Sequence, residues 1–264
     1  MRRWIKRIGI VLLIPVVLVF IVSILLYIPP FQKFAVRLAT QYASEATGMQ
    51  IGIGEIRLSF PLDLTVGKVQ VISTPDTLLD LESLKVSIRP LPLLKKEVLV
   101  EAVDLNKVKV NTGKLIEGME IKGNLDRFYL HADRVNLGKE TARLNTVELS
   151  DAAITLLMND TTPKTDTTTT VVNWILLLEK INLDRVAFAL QMPNDSLRLA
   201  TYIDKASLTG GFVDLGTERY GAKEFRLSNS SFNYDGDNKK EQPGFDPMHL
   251  ALNNVNISLD SVLY

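Results

Sequence analysis

The stretch VEAVDLNKVKV, Val100 to Val110, places apolar residues at Val103 and Leu105 and then at Val108 and Val110, so its alternation changes parity midway. Successive side chains of a strand point to opposite faces, and one buried face requires one parity throughout. Either two short elements meet at Asn106-Lys107, or one strand carries an extra residue, a β-bulge, that re-aims its side chains; because the change recurs along the chain, we expect a bulge or tight bend that keeps both apolar pairs facing inward while the sheet curves. The pattern recurs: an apolar residue, a gap of one, a leucine, and a large apolar residue five positions on. Its leucines are Leu64, Leu105, Leu149, Leu183, Leu227 and Leu259, at intervals of 41, 44, 34, 44 and 32 residues. From Leu105 onward, alternate leucines stand 78, 78 and 76 residues apart, which suggests a unit of two copies. No such unit buries its apolar face alone, so neighbouring units must complete one another's sheet in an elongated array.

A second series interleaves with the first, at DTLLDLESLKVSI from Asp76, DRFYLHADRVNL from Asp126 and DSLRLATYIDKASL from Asp195. Each opens on an aspartate suited to a turn and then alternates. After Gly48 no long helical period competes. The best candidate, VVNWILLLEKINL from Val171, begins with β-branched residues and runs into DRVAFAL, which favours a strand. Residues 49–264 therefore read as a β array. Its final copy is incomplete at Tyr264, as expected of the amino-terminal part of something longer. The Thr-rich segment 159–170 interrupts one unit and has too little apolar content to pack, which predicts a mobile loop.

The amino terminus reads differently. Ile8 to Ile28 is a run of 21 residues without a charge, long enough at about 1.5 Å per residue to cross a hydrocarbon core of about 30 Å. Ile8, Leu12, Val16, Phe20, Leu25 and Ile28 mark this transmembrane anchor. Arg2, Arg3, Lys6 and Arg7 precede it, so the positive-inside rule sets residues 1–30 as a cytoplasmic basic tail and a single span, with the body outside the cytoplasm. A cleaved signal would have a shorter apolar core and a small-x-small site, whereas LLYIPPF follows here. In segment 31–48, Phe31, Phe34, Ala35, Leu38, Tyr42 and Ala46 recur at helical spacing and Gly48 supplies a stop. This amphipathic helix reads as a cap on the β body in preference to a headgroup-layer helix, because its polar face lacks dense Lys and Arg.

Thirty basic and thirty acidic residues give no net charge, hence no field that would gather nucleic acid. The chain has no cysteine, which removes thiolate metal sites and cysteine nucleophiles. His131 and His249 stand in no metal or triad spacing, and Asp235 and Asp237 lack the later Gly and Glu of a calcium loop. We expect no catalytic residue, no metal, no cofactor and no enzyme.

An anchor, a capping helix ending in EATGMQIGIGEIRLSF, and then VSIRPLPLLKKEVLVEAVDL in that order resemble the amino terminus of the AsmA-like/TamB superfamily. The likeness extends over essentially the whole chain and is strongest to about Val110, although the Thr-rich insertion departs from it. It implies a β-sheet curled into a groove, apolar within, reaching from the inner membrane into the periplasm of a diderm bacterium. It further implies phospholipid cargo, a role in outer-membrane biogenesis, and contact with a TamA-type outer-membrane barrel protein through a carboxy-terminal part not in this sequence.

The residues alone leave two coverings open for the apolar face, a second sheet or lipid acyl chains. Both require Leu64, Val69, Val103, Leu105, Val147, Leu149, Ile181, Leu183, Phe225, Leu227, Ile257 and Leu259 to face inward; the resemblance favours the lipid groove. The alternatives are a periplasmic assembly factor for outer-membrane proteins, acting through strand edges, and a structural spacer with a closed β core.

Overall fold

The computed structural model describes residues 17, 21, 24, 25, 28–59, 62–73, 76–93, 99–116, 118–136, 140–159, 173–193, 196–236 and 249–263. The basic tail with Arg2, Arg3, Lys6 and Arg7, the anchor positions Ile8, Leu12, Val16 and Phe20, and nearly all of the Thr-rich segment lie outside these residues. Among the described residues no helix is long and apolar enough to cross a membrane.

Helix α1 runs from Pro29 to Thr47, two residues earlier at its start than the spacing predicts. Proline at the first helical positions has φ already set for a helix and loses no needed N–H donor, so Pro29-Pro30 begins the helix where a break was expected. Gly48 ends it in the left-handed region at φ 70°, its N–H donating to the Ser44 carbonyl, the conformation glycine adopts without steric cost.

Ten strands follow: β1 (Gln50–Ser59), β2 (Asp63–Ser73), β3 (Asp76–Ile88), β4 (Val100–Asn111), β5 (Met119–Asn136), β6 (Thr141–Met158), β7 (Ile175–Met192), β8 (Leu197–Asp214), β9 (Arg219–Asp235) and β10 (His249–Leu263). A one-turn helix α2, Pro90–Leu93, stands between β3 and β4. The strands form one open sheet in sequence order. Every neighbouring pair is antiparallel except β6 and β7, which are parallel. The Thr-rich segment thus joins two parallel strands at a boundary between units, and does not interrupt a unit.

That parallel step explains the 34-residue leucine interval. Leu149 of β6 stands directly beside Leu183 of β7, 34 residues on, whereas an interval of 44 takes the chain out and back through an antiparallel strand, as from Leu105 through Phe128 to Leu149. The 78-residue repeat is therefore a unit of three strands, β4-β5-β6 followed by β7-β8-β9, whose outer strands carry the two copies: Leu105 and Leu149, then Leu183 and Leu227.

Of the bulge or tight bend expected at the parity change, the β3–β4 pair shows no bulge there. The β3–β4 pairing keeps one register from Leu79↔Val110 to Ser87↔Ala102, so neither strand gains a residue on the other. Instead Lys107 takes φ 47° and faces Glu82, the two standing between the pairs Leu81↔Val108 and Ser83↔Asn106. The same one-residue interruption continues sideways through Gly54, Lys68, Glu82, Lys107, Asp126, Asp151, Arg185 and Asp204 in β1 to β8. Asn229 and Asn254 continue it at φ 48° and 58°. Lys68, Asp151 and Arg185 also have positive φ. From β1 to β9 the parity change falls on one line, a crease, with the register kept on both sides of it, whereas between β9 and β10 the register shifts there, at Leu252/Val255 and Val255/Ile257.

Candidate functional site

Cross-strand partners share a face, so the pairing assembles rows. One row reads Leu58, Leu64, Val86, Val103, Leu130, Val147, Ile181, Leu208, Phe225 and Leu259. Two residues along each strand, toward the crease, the next row reads Ile56, Val66, Leu84, Leu105, Phe128, Leu149, Leu183, Ala206, Leu227 and Ile257. Both are apolar in all ten strands. The intervening positions, on the opposite face, read Arg57, Thr65, Lys85, Asp104, Tyr129, Glu148, Asn182, Ser207, Arg226 and Ser258. One face is continuous hydrocarbon and the other is polar.

Across the crease a third row runs Ile53, Val69, Leu81, Val108, Leu125, Ala152, Val186 and Ile203. Its Leu81, Ala152 and Val186, with Ser230 of β9, are among the few buried residues. The crease residues between the rows are polar and outward: Lys107 and Glu82 are exposed and form an ion pair at 2.8 Å. Burial on one side of a line and exposure on the other are what an angle in the sheet produces. Ser230 occupies an apolar row position as a hydroxyl, and donates to the Ser228 carbonyl at 3.0 Å.

The Arg185 guanidinium grips Asp151 across the parallel β6–β7 step, Nη2 to Oδ2 at 2.6 Å, and holds that carboxyl below its ordinary range. The hydrogen bond that Lys107 donates to Glu82, then that carboxylate's charge, pushes the Lys107 ammonium up. Along the crease Lys68, Glu82, Lys107 and Asp126 alternate in sign.

A second crease crosses the longer strands. Asn145, Glu179, Gly210 and Lys223 interrupt the pairing of β6 to β9 six residues from the first line, and Ser261 of β10 continues it at φ 77°. Gly210 has φ 57°. A Cβ on the adjacent Gly211 would sit 2.5 Å from Leu208 Cδ2 and 3.3 Å from Leu178 Cβ. Leu208 and Gly211 lie on either side of this crease, so its flanking positions turn toward the same side.

All twelve positions marked from the repeat fall in the three rows, but four are out of phase: Leu64 and Leu259, and with them Val69, which joins Val108 where the repeat aligned it with Val110, and Ile257, which joins Leu227 where the repeat aligned it with Phe225. Leu64 sits beside Val86 and in the row of Val103, where the repeat aligned it with Leu105; Leu259 sits opposite Phe225 instead of continuing Leu227. The parity change after Leu259 belongs to the second crease, at Ser261, and β10 is antiparallel to β9, so a leucine spacing alone misplaces both. Val86, Leu130 and Leu208, and Leu84, Phe128 and Ala206, were missed as lining positions. The second repeat series had marked their strands, and its own alternation was the signal.

No family model matches this chain, and no curated protein matches its sequence.

Apart from α1, which packs against β1, each strand contacts chiefly its neighbours in sequence. No second sheet occurs among the described residues. The chain exposes 18258 Å² for 29.5 kDa, where a compact monomer of that mass would expose about 11,500 Å². His249 lies beside Asp235, Nε2 to Oδ1 at 3.0 Å, at the β9–β10 end, and Asp237 lies outside the described residues.

Proposed function

We propose that the chain is an inner-membrane-anchored periplasmic conduit that conducts phospholipid toward the outer membrane along the apolar face of its sheet. The observation that carries this reading is the unbroken apolar rows through ten strands of a single layer. Two creases of the same sense, about 20 Å apart along the strands at about 3.3 Å per residue, would curl that layer into a trough. Acyl chains are the covering such a lining suits. Leaving each methylene in water costs about 0.8 kcal/mol, so four methylenes in transit cost about 3 kcal/mol; a continuous apolar path lowers this barrier without a catalytic group. The resemblance to AsmA-like/TamB proteins points the same way, with a TamA-type barrel protein as the distal partner.

Purified protein should carry phospholipid detectable by mass spectrometry. Leu105→Asp and Leu183→Asp, each in the middle of a row, should abolish it while the β signal in circular dichroism persists. Lipid-free protein that unfolds with either substitution would instead favour a closed core. The second reading, an assembly factor for outer-membrane proteins, draws on the single open sheet, whose strand edges could take up an added strand by β-augmentation. Photo-crosslinks from β10 to nascent barrel proteins would support it; their absence would weigh against it.

A further inference from the structure

Helix α1 carries an apolar stripe that capping the sheet does not use. Toward β1 it presents short side chains, with Ala35, Val36, Ala39 and Ala43 half-buried, and the Ser44 hydroxyl accepts the Ile51 N–H at 3.1 Å. Its bulkiest apolar residues point away from the sheet: Phe31, Phe34, Leu38 and Tyr42 are 46%, 65%, 58% and 75% exposed. Spacings of three and four keep them on one side of a helix, and a helix serving only as a cap would turn these residues inward. The stripe starts three residues beyond Ile28, itself 40% exposed, which is the last residue of the uncharged run. That is about 4.5 Å of helical rise, so whatever surrounds the end of the run also meets the stripe. Lys33 and Arg37, both exposed, flank it on one side.

We propose that α1 lies in the headgroup layer of the bilayer, with Phe31, Phe34, Leu38 and Tyr42 at the acyl boundary and Lys33 and Arg37 toward lipid phosphates. Its opposite face holds β1. Aromatic rings and basic side chains are the residues that settle at this depth. The inference rests on the reading of Ile8–Ile28 as a span. It places the β1 end of the apolar rows, Ile51 to Leu58, against the membrane surface, where a lipid leaving the bilayer first meets the sheet.

The cysteine-free chain allows a direct test. Leu38→Cys and Tyr42→Cys, with Lys109→Cys on exposed β4 as control, are labelled with an environment-sensitive fluorophore. The full chain is placed in phosphatidylethanolamine vesicles containing a minority of phosphatidylglycerol and lipids spin-labelled near the headgroup. Labels at Leu38 and Tyr42 should shift to the blue and be quenched severalfold more than the label at Lys109, and more by shallow than by deep acyl spin labels. Quenching equal to that at Lys109 overturns the proposal. So does a disulfide dimer through Leu38→Cys without quenching, which would assign the stripe to a second copy. Alkaline carbonate distinguishes the two readings: protein that resists extraction yet stays unquenched sinks the interfacial helix alone, and extracted protein sinks the span as well.

Discussion

Lys107 shows what each left-handed residue of the crease contributes. A left-handed conformation costs an L-residue roughly 1–2 kcal/mol, and φ 47° places Lys107 there. The exposed pair with Glu82 returns little of that, since surface ion pairs contribute about 0–1 kcal/mol. What keeps the residue there is the row on either side: relaxing Lys107 to extended backbone would send Val108 and Val110 to the polar face. Lys107→Gly should therefore leave stability within about 1 kcal/mol, the relief of strain offsetting the extra freedom of the unfolded chain. Lys107→Val, with a stiff branched side chain, should cost about 2 kcal/mol. Urea unfolding checks both, and equal losses would mean that the positive φ has no energetic weight. Asp151 gives a pH test. Its carboxyl titrates below the ordinary value when folded, so its contribution is present above about pH 4 and is lost as pH falls through the folded pKa. Asp151→Asn should accordingly be less stable than the parent at pH 6, and the two should converge on acidification, read as urea midpoints. Both partners are exposed, so the difference is small.

At the scale of elements, the repeat made the strands legible because each carries its own alternation, and Leu105, Leu149, Leu183 and Leu227 fall in one row, with Phe128 and Ala206 between them. The crease was visible only as a parity change, which reads equally as a bulge when one strand is taken alone. Register is a property of the pair. Only when Glu82 is seen opposite Lys107, and Asp151 beside Arg185, does the change prove simultaneous. The parallel β6–β7 step left a trace in the 34-residue interval, too short for a strand out and a strand back, since β8 alone takes 18 residues. The helix α1 was legible as amphipathic, but its direction was not. A stripe of Phe31, Phe34, Leu38 and Tyr42 looks like a packing face until Ala35, Ala39 and Ala43 are found against β1, where only small residues allow close approach.

For the whole molecule, the decisive property is that strand pairing among the described residues runs only between neighbours in sequence. Stability in such an array is close to a sum of nearest-neighbour interfaces, without the closure that makes a barrel or a sandwich unfold as one. The row Leu105, Phe128, Leu149 owes its place to β4, β5 and β6, and nothing in β8 to β10 touches it appreciably. A chain ending after Asn159 should therefore keep β1 to β6 folded, with hydrogen-exchange protection of β2 to β4 unchanged and fraying confined to the new edge at β6. Its far-UV circular dichroism per strand residue should match that of the full chain. Removing β1 together with α1 should be costlier locally, because Ser44 and the short side chains of α1 cover the edge of β1, and β2 would be left bare. Loss of all strand signal on truncation after Asn159 would mean that distant strands meet, and a sheet closed in that way would leave no open apolar face for lipid to occupy.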